Sequence, residues 1–205
     1  MSEIAWLLIA FLSGSLPFSP LLGRLALGRD IRAYGDGNPG STNVFRAGGR
    51  WAGVAALLLD GFKGAIPVGL AYWGDALRGP WLVAVALAPV LGHAFSPFLR
   101  GRGGKAVATT FGVWAGLTGP EAPIVLGCLL AAWFLALDNS GWALALTMLC
   151  FLGHLLNYRP DPALIGLWAG NAALLAWKYR ADLGRAPRLR TERAARLLRR
   201  LGRAA

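Results

Sequence analysis

Residues 80–99 read PWLVAVALAPVLGHAFSPFL, and His93 is the one residue among them with an acidic or basic side chain. About 20 residues in an α-helix rise roughly 30 Å, which matches the thickness of the hydrocarbon core of a bilayer. A stretch this long and this apolar predicts a transmembrane helix rather than a buried element of a water-soluble protein.

Six further stretches of the 205-residue chain have the same character. The seven predicted spans are residues 4–22, 51–73, 80–99, 106–119, 121–137, 141–157 and 162–178. Apolar residues make up 56% of the chain and charged residues only 15%, which is few for the surface of a soluble domain. Gly14, Pro17 and Pro20 interrupt the first span, so we expect a kinked helix whose freed backbone groups are bound by neighbours. The sequence therefore predicts an all-α integral membrane protein with one membrane domain at residues 1–184.

The basic residues determine the predicted orientation. A formal net charge of +11 is by itself also typical of nucleic-acid-binding proteins. If the N-terminus lies outside and the seven spans alternate, every Lys and Arg except Lys63, Arg78 and Arg159 falls on the cytoplasmic side. This asymmetry follows the positive-inside rule. It predicts a multi-pass protein of the cell inner (cytoplasmic) membrane with a cytoplasmic C-terminus.

Residues 185–205 form a second predicted unit, a basic amphipathic cytoplasmic tail. Ala194, Leu197, Leu198 and Leu201 recur at helical spacing among arginines, which predicts a helix lying on anionic lipid headgroups. The aromatic residues on which nucleic-acid bases stack are absent from this stretch. We therefore expect membrane lipid, and no nucleic acid, as a partner.

A polar, glycine-rich segment between the first two spans is the first candidate anion site. Residues 35–43 read GDGNPGSTN, and Arg46 follows. Three glycines and a proline exclude ordinary helix. Backbone N–H groups in such a segment can converge on an anion, and arginine offers a planar fork that suits phosphate. The alternative is a solvated turn between helices.

A second glycine-rich segment lies between the third and fourth spans. Residues 100–105 read RGRGGK, with two glycines leading into Lys105. The segment is not a Walker A sequence, because Leu99 stands where the first glycine is required and Ala106 follows the lysine. A glycine pair before a lysine at a helix start can cradle an anion, and simple positive-inside anchoring is the alternative. Both segments fall on the same predicted membrane face, which favours a shared site.

Three ionisable residues lie inside predicted spans. Asp60 and Lys63 stand three residues apart on one helical face, and His93 lies about two turns inside the third span. Unpaired charges at this depth are costly, so a neutralised structural pair is the simplest interpretation of Asp60 and Lys63. His93 can hydrogen-bond within the helix bundle without taking part in chemistry.

Four motifs occur in one order across nearly the whole chain. They are GDGNPGSTN from Gly35, DGFKG from Asp60, GHAF from Gly92 and GGKAVAT from Gly103. Together they resemble those of the bacterial acyl-phosphate:glycerol-3-phosphate acyltransferases. The resemblance implies a seven-helix membrane enzyme of phospholipid synthesis. Such an enzyme moves a fatty acyl group from acyl phosphate to the 1-hydroxyl of glycerol 3-phosphate, giving lysophosphatidic acid and phosphate, without a cofactor or a metal.

The resemblance also implies roles for individual residues. Lys105 and Arg46 are the implied catalytic residues, because acyl phosphate is already activated and the protein has mainly to position two anions and stabilise charge. Tyr179 and Arg180 match a substrate-binding motif at the end of the last span. The other implied substrate-binding residues are Asp36, Gly37, Asn38, Gly40, Ser41, Thr42, Asn43, Gly103 and Gly104.

Several departures from the family's pattern indicate a divergent member. Asp36 stands where the family usually has serine, Ala106 replaces a glycine, and residues 179–182, YRAD, stand where the family has His-Arg-x-Asn. A carboxylate beside a phosphate site disfavours its occupancy unless a cation neutralises it. A paralogue with another acceptor and a catalytically silent lipid-binding protein therefore stay open as alternatives. A transporter is disfavoured, because the polar residues cluster near one face.

Overall fold

The computed structural model describes residues 1–75 and 77–190. The α-helices within these ranges are α1 (Glu3–Ser15), α2 (Phe18–Leu27), α3 (Ser41–Arg46), α4 (Arg50–Gly69), α5 (Gly79–Ala94), α6 (Val107–Thr118), α7 (Glu121–Ala136), α8 (Ser140–Tyr158), α9 (Pro162–Lys178) and α10 (Arg180–Leu183). A π-helical turn, Leu70–Gly74, continues α4, and a 3-10 turn, Pro97–Leu99, follows α5. The predicted amphipathic segment around residues 194–201 lies outside the described residues.

The break between α1 and α2 is the predicted kink of the first span. Pro17 has no N–H to donate, and the helix stops at Ser15 and resumes at Phe18. The carbonyl oxygen of Leu16 at this break accepts a hydrogen bond of 3.1 Å from the N–H of Phe18 and one of 2.9 Å from the Lys63 ammonium of α4. A neighbouring helix thus binds the freed backbone group, as expected for a kink inside a membrane.

Glycines let the central helices approach one another closely. A side chain on Gly112 of α6 would collide with the carbonyl oxygen of Gly61 in α4, and one on Gly92 of α5 would collide with that of Phe11 in α1. Small residues at such contacts are how membrane helices reach close van der Waals packing. These contacts pair α6 with α4 and α5 with α1, and the Ser13 hydroxyl of α1, which donates to the carbonyl of Lys63 in α4 over 2.8 Å, joins the two pairs.

The helices coincide with the predicted spans. Four segments are long and apolar enough to cross a membrane by length and composition: Glu3–Leu27, Arg50–Gly74, Gly79–Leu99 and Ser140–Tyr158. Helices α6 and α7 are apolar but shorter, with 12 and 16 residues, and α9 has 17. A helix stands at each of the seven predicted positions, so the prediction of an all-α protein with several apolar spans is confirmed.

The start of the predicted tail folds back onto the helix bundle. Within the described residues, the backbone N–H of Arg190 donates to the carbonyl of Ala136 over 2.8 Å, and that of Asp138 donates to the carbonyl of Arg188 over 3.0 Å. These contacts attach residues 185–190 to the connection between α7 and α8.

Candidate active site

The first glycine-rich segment is organised around one buried amide. The Asn43 side chain is buried and donates to the Asp36 carboxylate over 3.0 Å and to the backbone carbonyl of Asn38 over 2.9 Å. Its oxygen accepts a hydrogen bond of 3.0 Å from Arg46. The segment is therefore a closed loop with defined side-chain directions.

The second glycine-rich segment packs directly onto α5. The N–H of Gly104 donates to the carbonyl of His93 over 3.0 Å, and a side chain on Gly103 or Gly104 would collide with the backbone or ring of His93. The Lys178 ammonium at the end of α9 donates to the carbonyl oxygens of Ala94 (2.5 Å) and Gly103 (3.3 Å). These contacts explain why two glycines precede Lys105, because no residue with a Cβ fits there.

Lys105 is the point at which the two segments meet. Its Nζ lies 2.9 Å from the Asp36 carboxylate and 3.5 Å from that of Asp182, and 4.3 Å from the centre of the Tyr179 ring. Arg46 lies 3.8 Å from the same Asp36 carboxylate. The structure therefore brings the cations and carboxylates of three separate chain segments into one cluster.

The electrostatics of this cluster keep Asp36 charged. Partial burial opposes its ionisation, but hydrogen bonds from Lys105 and from the backbone N–H of Asn38 outweigh that effect and hold the pKa of Asp36 below its ordinary value. Burial raises the pKa of Tyr179 to about 12, so its hydroxyl stays neutral. Asp36 at neutral pH is thus a carboxylate that competes with any bound anion for Lys105.

A polar cavity of about 160 Å³ opens beside this cluster. Six of the sequence-predicted site residues line it, namely Asn38, Gly40, Ser41, Thr42, Lys105 and Tyr179. Asp36, Gly37, Asn43, Arg46, Gly103 and Gly104 stand outside the lining and build the two loops. Arg180 lies apart, because its guanidinium stacks 4.8 Å from the centre of the Trp177 ring at the exposed end of α9.

Several lining residues were not among the predicted site residues. Asp60 and His93 reach the cavity from α4 and α5, and Leu130, Phe134 and Leu144 line it from α7 and α8. An ionisable residue within an apolar span is a signal that could have found the first two. The last three carry no such signal, since leucine and phenylalanine are as common at lipid-facing positions as at positions that line a cavity.

An apolar groove of about 240 Å³ lies next to the polar cavity, between α8 and α9. Leu144 and Tyr179 line both spaces. The rest of the groove is lined by apolar residues such as Ala145, Met148, Trp168, Ala172 and Leu175. A ligand with a charged head and an aliphatic chain would find both environments side by side.

Ala106 adopts a backbone conformation that disfavours any residue with a Cβ. Its φ is +63° at the start of α6, and this region costs an L-residue roughly 1–2 kcal/mol, which exceeds the ~0.8 kcal/mol from burying its methyl group. We expect Ala106→Gly to be at least as stable as the unchanged chain in thermal unfolding in detergent. The matched variant Ala115→Gly, inside α6, should lose about 0.5–1 kcal/mol. If Ala106→Gly lost more stability than this control, the backbone at Ala106 would not be strained.

Comparison with known proteins places this geometry in a family. A family model described as glycerol-3-phosphate acyltransferase matches residues 4–188. Among similar curated proteins, the glycerol-3-phosphate acyltransferase of Rubrobacter xylanophilus is 41% identical over 89% of this chain and 90% of its own. That of Pseudomonas syringae pv. tomato is 40% identical over 89% and 94%. The alignment with glycerol-3-phosphate acyltransferase 1 of Thermotoga maritima, at 48% identity, covers 58% of this chain and 59% of that one.

Solved structures give the same result. The crystal structure of PlsY, an integral membrane glycerol 3-phosphate acyltransferase, in its glycerol 3-phosphate form has a TM-score of 0.82 and 29% identity, over 90% of this chain and 92% of that one. Its lysophosphatidic acid form has a TM-score of 0.81 and 27% identity, over 90% and 91%. The chain described here is therefore a multi-pass membrane protein and belongs to the glycerol-3-phosphate acyltransferase family.

Proposed function

We propose that this protein transfers a fatty acyl group from acyl phosphate to the 1-hydroxyl of glycerol 3-phosphate, giving lysophosphatidic acid and inorganic phosphate. The observation that carries the proposal is the position of Lys105. It lines a polar cavity at the contact of both glycine-rich segments, and that cavity adjoins an apolar groove. The structural relatives named in their glycerol 3-phosphate and lysophosphatidic acid forms support the acceptor and the product.

The cations and hydroxyls around the cavity suit a phosphate group. Lys105 supplies charge, Ser41 and Thr42 supply hydroxyl donors at the cavity wall, and Arg46 adds a second cation behind the Asn43 amide. Charged donors held in place before the reaction stabilise an anion without reorganisation in the transition state. We assign Lys105 and Arg46 as the catalytic residues and the two loops as the binding site for the phosphates.

The apolar groove suits the acyl chain of the donor. With the chain between α8 and α9, the junction at Leu144 and Tyr179 would set the acyl carbon at the edge of the polar cavity. The 1-hydroxyl oxygen then forms the ester bond as the bond between the acyl carbon and the phosphate oxygen breaks. Phosphate leaves with the electron pair of that bond and takes up the proton that the 1-hydroxyl group loses. The protein therefore has mainly to hold two anions close together and stabilise charge.

The same site supports the proposed membrane placement. Both glycine-rich segments and the end of α9 meet at one end of the helix bundle, and the connections at this end carry most of the basic residues among those that the structure describes. We propose seven spans in the inner membrane, with the N-terminus outside and the site at the cytoplasmic face. The membrane domain would comprise residues 1–184 and the tail residues 185–205.

A coupled product assay tests the activity. Purified full-length protein, given palmitoyl phosphate and glycerol 3-phosphate, should release inorganic phosphate and lysophosphatidic acid in equal amounts. Palmitoyl-CoA in place of the acyl phosphate should give no product. Folded protein that forms no lysophosphatidic acid from acyl phosphate would overturn the proposal, and product from another small alcohol alone would favour the paralogue with a changed acceptor.

One observation favours a changed acceptor: the carboxylates of Asp36 and Asp182 both pair with the Lys105 ammonium, which a phosphate group would otherwise bind. We expect Asp182→Asn to lower the KM for glycerol 3-phosphate by about two- to fivefold, since a partly exposed ion pair contributes up to ~1 kcal/mol. Steady-state kinetics at fixed acyl phosphate measures the change. Asp138→Asn, at an exposed carboxylate, is the matched control. An unchanged or raised KM in Asp182→Asn would show that this carboxylate does not compete with the acceptor.

A further inference from the structure

A third and larger space lies beside the first glycine-rich segment, on the side away from the polar cavity. It is a groove of about 1100 Å³ between α2, the loop that follows α2 and the 3-10 turn Pro97–Leu99. Four arginines line it, namely Arg24, Arg32, Arg100 and Arg102. Asp30 is the one acidic residue in its lining, so the groove carries a clear excess of positive charge.

Two of these arginines have no partner within the described residues. Arg32 forms an ion pair of 2.7 Å with Asp30, and Arg24 approaches the same carboxylate at 4.0 Å. No hydrogen bond or ion pair is made by the side chains of Arg100 and Arg102 to the rest of residues 1–75 and 77–190. Two guanidinium groups at one groove are therefore available to an anion from outside.

The backbone that carries Arg100 is strained. Its φ is +53°, a left-handed conformation that costs a residue with a Cβ roughly 1–2 kcal/mol, and Gly101 follows at +75°. The turn is closed by hydrogen bonds from the N–H of Arg100 to the carbonyl of Pro97 (3.1 Å) and from that of Gly101 to the carbonyl of Ser96 (2.9 Å). A left-handed residue is a common way to end a helical turn, and these bonds hold Arg100 in place at the groove.

The rim of the groove is apolar. Leu21 is 47% exposed and Phe98 57% exposed, and Leu21 belongs to the second half of the first membrane-spanning segment. Cations beside exposed apolar side chains at a membrane edge match a molecule with a phosphate head and aliphatic chains. A soluble acidic protein would use the arginines but leave the apolar rim without a partner.

The groove and the active-site cavity share one loop. Gly37 and Pro39 line the groove, whereas Asn38 and Gly40 line the polar cavity. We propose that the groove binds the phosphate headgroup of an anionic phospholipid through Arg100 and Arg102, with its chains along Leu21 and Phe98. Bound lipid then supports the outer face of the loop that forms the wall of the active site.

Lipid binding is measured by native mass spectrometry of the full-length protein in detergent, titrated with phosphatidylglycerol or phosphatidylcholine. The test variant is Arg100→Gln with Arg102→Gln, and the matched control is Arg50→Gln with Arg159→Gln, which removes the same charge from exposed positions outside the groove and the tail. We expect the test variant to bind phosphatidylglycerol at least about tenfold more weakly, and the control to change less than about twofold. Equal losses of phosphatidylglycerol affinity in both variants would show that only overall positive charge matters, and would overturn the proposal.

Two further arms identify the ligand. Inorganic phosphate should compete only weakly with phosphatidylglycerol, and full displacement at equal concentration would overturn the assignment to lipid. In nanodiscs, phosphatidylglycerol should raise the acyl transfer rate of the unchanged protein but not that of the test variant. Only this last arm rests on the proposed function. A failed activity assay with intact lipid selectivity would therefore count against the acyltransferase and not against the lipid site.

Discussion

Lys105→Met is expected to lower kcat for acyl transfer by about 10²–10³-fold, the usual effect of removing one preorganised charged donor from a transition state. The substitution keeps most of the side-chain volume and its packing against the Tyr179 ring, but removes the charge that lies 2.9 Å from Asp36 and 3.5 Å from Asp182. Phosphate release under saturating acyl phosphate and glycerol 3-phosphate measures the effect. The loss should appear in kcat more than in KM, because the charge that develops on the leaving phosphate is greatest in the transition state.

The control for Lys105→Met is Arg50→Met, which removes a cation that is exposed at the start of α4. It should retain nearly full activity, since screened surface charges contribute little at a distance. Arg46→Met should fall between the two, because Arg46 lies behind Asn43 and reaches the cluster at 3.8 Å from Asp36. If Lys105→Met kept its kcat with an unchanged thermal midpoint, the site would have to be sought elsewhere.

The approach of the two glycine-rich segments could be predicted from the sequence, but the reason for their glycines could not. Alternation of spans placed both segments on one face of the bundle. That a side chain on Gly103 or Gly104 would strike His93 follows only from the position of α5 beneath the loop. The same limit applies to Leu130 and Phe134, since an apolar helix of a membrane protein gives no periodic contrast between its cavity-lining and lipid-facing sides.

The different positions of Tyr179 and Arg180 show the limit of transferring a motif residue by residue. Helix α9 ends at Lys178 and the four-residue α10 starts at Arg180. Successive residues near a helix end point about 100° apart. Tyr179 therefore faces Lys105, whereas Arg180 stacks on Trp177. Asp182, one turn further on, again lies beside Lys105 and belongs to the cluster. From the sequence, Asp182 could be recognised only as a departure from the family's motif.

Asp60→Asn is expected to lower the free energy of unfolding by about 3–5 kcal/mol, because it leaves the Lys63 charge buried without its counter-ion. The two side chains are 3% and 2% exposed and 2.7 Å apart, and Ser19 donates to the same carboxylate over 2.6 Å. The double variant Asp60→Asn with Lys63→Met removes both charges and should recover a large part of the loss. Glu121→Gln breaks a more exposed pair with Arg159 and should cost no more than ~1 kcal/mol.

Activity of the double variant separates two roles of Asp60. The Asp60–Lys63 pair joins α2, α4 and the carbonyl of Leu16 at the kink, and Asp60 also lines the polar cavity. If the pair served only to hold the helices together, restored stability would bring restored acyl transfer. Because the carboxylate lies at the cavity wall 3.8 Å from His93, we expect the double variant to regain its thermal midpoint and yet keep a lowered kcat. A double variant that is both stable and fully active would reduce Asp60 to a helix-packing residue.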